Sequence, residues 1–122
     1  MRTGQILLNG KVWVSQVEVA SSLFDRMRGL LGRRVLPIGQ GLLIERCGSV
    51  HTVGMRFPID VIFFNRAWQV QRVCRHVSPG RLIVWCGWSG LQALEVACGW
   101  LDLESVRPGM QVQWLEQVPV NS

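Results

Sequence analysis

Hydrophobic and polar positions change over on the scale of short strands through most of the chain. Residues 5–8 and Lys11–Ala20 read as two strands, and Asn9-Gly10 between them is a two-residue hairpin signal, because both residues tolerate positive φ. In the second strand Val12 and Val14 fall on one face while Trp13, Val17 and Val19 fall on the other, a change of phase that predicts a bulge. Residues 41–45 and Ile59–Phe64 are short, mostly apolar runs and residues 82–86 a continuous one, all of strand length, as expected of buried strands. Residues 68–77 form a Val-rich strand with Arg72 and Arg75 interspersed, ended by the turn Pro79-Gly80. Gln92–Ala97 alternates, with Leu94 and Val96 on one face and Ala93 and Glu95 on the other. Residues 100–106 suggest one helical turn, and after Pro108-Gly109 a strand over 111–116 places Val112 and Trp114 together.

Helical spacing occurs in one place. Leu23, Met27, Leu30 and Leu31 recur at i, i+4, i+7 and i+8 behind Ser22, an N-cap residue type, and ahead of Gly32, so a short helix is expected near residues 23–31. Many short strands, Gly and Pro turns and one helix together predict an α+β, β-rich fold with a mostly antiparallel, partly barrel-like sheet. The 122 residues fit a single domain spanning 1–122, and no internal repeat or linker divides them.

Composition narrows the function classes. With 48% hydrophobic and 17% charged residues the chain can bury a core, and no apolar stretch approaches the roughly 20 residues of a membrane helix. The first ten residues lack the apolar core of a signal peptide, so a cytoplasmic location is expected. The formal charge of +5 comes almost wholly from arginine, Lys11 being the only lysine. Arg26, Arg28, Arg33 and Arg34 make the predicted helix locally basic, which reads first as a solvated face; the excess is too scattered to favour nucleic acid. Cysteines 47, 74, 86 and 98 stand singly among apolar neighbours, the pattern of reduced, buried thiols. Cys47 and His51 are four apart, but His76 is the only other imidazole and no pair-of-pairs spacing appears, so no metal or other cofactor is expected.

Chemistry-bearing side chains are densest between Cys47 and Asp60, where a thiol, Ser49, His51, Thr52, Met55, Arg56 and a carboxylate surround Gly48, Gly54 and Pro58. That block, Ser49-Val-His-Thr52 and Gly54-Met-Arg-Phe-Pro-Ile-Asp-Val61, joins Arg28-Gly-Leu-Leu-Gly-Arg33, Gly41-Leu-Leu-Ile44, Cys47 and Leu94-Glu95 in a series that resembles the family known as domain of unknown function 192. The resemblance runs in order from about residue 19 to 112 and implies a small β-rich domain, with no reaction or ligand attached. The chain departs from it at two places: Ala97-Cys98 stand where the family more often has Pro-Ala, and Met110 follows Gly109 where Asp is common.

Several duties compete for these residues. His51 and Asp60 have the chemistry of a hydrogen-bonded acid-base pair, yet the same side chains serve equally to satisfy main-chain groups in an irregular loop. Glu95 reads either as solvent-facing or as turned into a polar pocket, where convergence with Asp60 would create a paired-carboxylate site. The leading expectation is a non-catalytic binding domain whose pocket, formed by His51, Thr52, Arg56, Asp60 and Glu95, takes a small polar or anionic ligand. A hydrolase-like enzyme using His51 with Asp60 or Glu95 is the alternative, and an accessory protein of a larger assembly is the third class.

Overall fold

The computed structural model describes residues 2–20, 36–45, 49–51, 57–80, 82–84 and 92–118. Seven strands form one mixed sheet: β1 (Arg2–Leu8), β2 (Lys11–Ala20), β3 (Gln40–Glu45), β5 (Ile59–Phe64), β6 (Val70–Val77), β8 (Gln92–Ala97) and β9 (Val112–Gln117), in the order β6-β5-β8-β3-β2-β1-β9. β4 (Ser49–His51) and β7 (Leu82–Val84) pair separately. Among the described residues β2 and β3 are the one parallel pair and every other pairing is antiparallel. The helix expected near 23–31 falls outside the described residues, and no helix occurs within them. The helical turn expected over 100–106 is instead a series of tight turns that drops Leu101, Leu103 and Val106 into the core.

The hairpin and bulge expected of the first two strands are both present. Asn9 and Gly10 have φ of 54° and 76°, the values a two-residue turn needs between right-twisted strands. Opposite Gly4 and Ile6, which pair with Val17 and Val14, the second strand carries one extra residue, and this lets both Val14 and Val17 reach the core.

The sheet curls without closing, so the barrel-like expectation is corrected to an open sheet with one tethered end. Closure would require β6 and β9, the strands at the two ends of the order, to share a ladder. They share only a bridge between Gln69 and Gln111, flanked by Val70 N–H to Met110 O (2.8 Å) and Val112 N–H to Trp68 O (2.9 Å). At this tether Trp68 stacks on Trp114 of β9, with ring centroids 5.6 Å apart and planes 5° from parallel. Trp68 holds φ at 61°, which costs a β-carbon residue about 1–2 kcal/mol and is offset here by the stack.

Strand alternation divides the core in two. Ile62, Phe64, Leu94 and Val96 face one cluster with Ile6, Val14 and the 101–106 segment. Ile59, Val61, Phe63 and Ala93 face the other with Leu42, Ile44 and Val77. β5 is therefore buried on both faces, as its apolar run, interrupted only by Asp60, predicts. No helix among the described residues is long and apolar enough to cross a membrane.

At the β9 end, Arg2 donates to both oxygens of Glu116 (3.1 and 2.8 Å) and to Glu45 (2.7 Å), tying β1, β9 and β3 together. The guanidinium, with the Trp114 indole N–H, holds the Glu116 carboxyl below its ordinary pKa. A lowered folded-state pKa adds stability above the unfolded carboxylate value of about 4.3, and that stability disappears as pH falls through the lowered value. Both groups are largely exposed, so solvent screening keeps the effect to about 1 kcal/mol or less. The urea-stability difference between wild type and Arg2→Ala is expected to shrink between pH 5 and pH 2; a constant difference would show that the pair contributes through packing alone.

Candidate functional site

Asp60 sits on β5 opposite a bulge. Ile59 pairs with Val77 and Val61 with Cys74, so two residues of β6, Arg75 and His76, stand across from the single Asp60. The extra residue forces His76 to φ 54°, and beyond β8 Gly99 lies at φ 86°. These turned main chains present N–H groups that no ladder satisfies. Asp60 satisfies both: Oδ1 accepts from His76 N–H at 2.8 Å and Oδ2 from Gly99 N–H at 3.0 Å. At 3% exposure the carboxylate is a buried clasp joining β5, β6 and the turn after β8.

Above the clasp the side chains of two turned segments meet. His76 Nδ1 lies 3.1 Å from Cys98 Sγ. Burial pushes the Cys98 thiol up, and the neighbouring Asp60 charge and hydrogen bond push it the same way, against a smaller opposing effect of the His76 main chain. Cys98 and Cys74 are free thiols, and Cys74 packs on the opposite face of the sheet, against the Val61 cluster. An open cleft of about 450 Å³ covers this region, lined by Asp60, Arg75, His76, Cys98, Asp102 and Glu104 among others. Three carboxylates against one guanidinium make its lining acidic. Asp102 is exposed, its Oδ1 accepting from Glu104 N–H at 3.1 Å in a local turn.

The other candidate carboxylate is elsewhere. Val61 pairs with Glu95 and Asp60 with Val96, and paired residues share a face. Glu95 consequently points with Val61 and Leu42 into the second cluster, while Asp60 points to the face of Ile62 and Val96. A paired-carboxylate site built from Asp60 and Glu95 is excluded by this parity. Glu95 is 3% exposed, which also decides against its solvent-facing reading. The main chain of His51 pairs with Leu82 in β4–β7, its side chain lies outside the described residues, and Thr52 and Arg56 lie outside them altogether.

Comparison with known proteins places this arrangement in a family. The model of DUF192, described as Uncharacterized ACR, COG1430, matches residues 5–114. The chain belongs to this family. No curated protein matches. Two solved structures share the fold with TM-scores of 0.77: a protein of unknown function from Novosphingobium aromaticivorans, 20% identical over 92% of this chain and 84% of that one, and a "putative transcription regulator" from Sinorhizobium meliloti, 19% identical over 93% and 92%.

Within this DUF192 chain, the residues that gather around Asp60 differ from those its sequence singled out. His76 and Cys98 were legible only as a lone imidazole and a lone thiol, 22 positions apart. One signal did point to Cys98: the resemblance drawn from the sequence marks Ala97-Cys98 as a departure from a more usual Pro-Ala.

Proposed function

We propose that this protein is a small non-catalytic binding domain whose cleft above the Asp60 clasp takes a small polar ligand bearing positive charge. The observation that carries the reading is the acidic lining, Asp60, Asp102 and Glu104 against Arg75, on an open cleft of about 450 Å³, a volume within the range of small-molecule sites. It favours a cationic or zwitterionic ligand over the anionic one that an arginine-rich composition suggests. The hydrolase reading is weakened by the clasp itself. Both Asp60 oxygens accept main-chain N–H groups, and His76 turns its ring nitrogen toward Cys98 rather than toward Asp60. The same acidity argues against a phosphate backbone in this cleft, so the name carried by the Sinorhizobium relative does not extend to it.

A thermal-shift screen of chelator-treated protein against amines, amino acids, anions and short oligonucleotides tests the reading. A ligand present at one hundred times its Kd is expected to raise Tm by on the order of 10 °C. That response should fall in Asp102→Asn and Glu104→Gln, which leave the clasp intact. Stabilisation by anions alone, or by no compound in the screen, overturns it.

A further inference from the structure

We propose that Cys98 and His76 form a two-donor site for a soft monovalent cation of the Cu(I) class. The inference rests on the cleft described above and gives it a specific occupant.

Three observations lead there. A thiol sulfur and an imidazole nitrogen face each other at 3.1 Å, on segments fixed in place by one buried carboxylate. Thiolate and imidazole together suit soft cations, which accept two donors in a linear arrangement, whereas zinc requires three or four. No group of three or more His, Cys, Asp or Glu side chains able to hold a metal occurs among the described residues, so a site of the zinc type is not offered here.

The charge distribution supplies the second argument. The Asp60 carboxylate beside the sulfur is held by the main-chain N–H groups of His76 and Gly99. Its negative charge favours a positive charge at the sulfur, and a monovalent metal ion takes the place of the thiol proton with no net change of charge. The step is an exchange without redox chemistry: the S–H bond breaks, an S–metal bond forms, the proton leaves to solvent and the imidazole lone pair closes the second bond. Asp102 and Glu104 at the rim draw a cation into the cleft.

The geometry needs one adjustment. Metal bonds to sulfur and nitrogen of about 2.3 and 2.0 Å place the two donors about 4 Å apart in a linear unit, so the pair must open by about 1 Å. His76 is exposed, and its ring can swing outward while its main chain stays on Asp60.

The test is an anaerobic Cu(I) competition against a chromophoric bidentate chelator, with circular dichroism to verify the fold of each variant. Wild type is expected to withhold one equivalent. Cys98→Ala and His76→Asn should each weaken binding at least tenfold, asparagine being chosen because it accepts the positive φ at position 76; Cys74→Ser should bind as wild type does. X-ray absorption of the loaded protein should show one sulfur and one nitrogen neighbour. Failure of wild type to compete, wild-type affinity in His76→Asn, or an all-sulfur copper environment overturns the proposal. Each of these results leaves the thermal-shift outcome with metal-free protein standing, so the two readings fail separately.

Discussion

Replacing Asp60 by alanine is expected to lower the stability of the fold by about 2–5 kcal/mol, because it strands two main-chain N–H groups that a charged acceptor had satisfied. Asparagine should rescue little of this. Each Asp60 oxygen faces a donor, so the asparagine NH₂ group must oppose an N–H of either His76 or Gly99 whichever way the amide is flipped. Urea unfolding at neutral pH checks both variants through the midpoint at constant m-value. An Asp60→Asn protein as stable as wild type would show that the clasp contributes little and would return Asp60 to the list of residues available for chemistry.

A second large effect is expected at Gly4. A β-carbon there would sit 2.4 Å from the Trp114 ring and 2.6 Å from the Leu115 carbonyl oxygen. The carbonyl belongs to the paired strand and cannot retreat without breaking the β1–β9 ladder, so the indole must leave its stack on Trp68. Gly4→Ala is accordingly expected to cost about 3 kcal/mol or more, combining overpacking with loss of an aromatic contact. The double variant with Trp114→Ala should be more stable than the sum of the two single effects by about 1 kcal/mol, since the ring no longer needs to move. Simple additivity would show that the indole is not what the new methyl group meets.

How much of this was legible before the structure depends on whether the cause is local. The Asn9-Gly10 turn was, since its chemistry lies in the two residues that form it. So was the division of β8 into a Leu94 and Val96 face and an Ala93 and Glu95 face, because alternation is a property of the strand itself. The relation between Asp60 and Glu95 required the register of β5 on β8, and one residue of slip would have reversed it. The clasp was hidden for a different reason: its donors are main-chain N–H groups 16 and 39 positions away, and a main-chain donor has no residue-type signature. Closure failed as an expectation because strand number and turn spacing do not say how the two outer strands meet. Here they meet through the Gln69–Gln111 bridge, its flanking hydrogen bonds and the Trp68–Trp114 stack, with no shared ladder. The 101–106 segment has apolar residues at intervals that also fit a helical turn, yet the chain buries Leu101, Leu103 and Val106 through successive tight turns.

The pairing of β1 with β9 has a consequence for how the protein is made. Arg2 and Glu116, which join these strands at one end, are 114 positions apart in the chain. The hairpin of β1 and β2 emerges from the ribosome early, with Ile6, Leu7 and Leu8 on a strand whose second side stays bare until β9 has been translated. At about 5–20 residues per second that interval is roughly 5–20 s. For its duration the nascent chain displays the kind of open, apolar strand edge on which foreign strands assemble. A message truncated before the Val112 codon would leave that edge permanently uncovered, and its product is expected to be enriched in the insoluble fraction relative to the chain that includes β9.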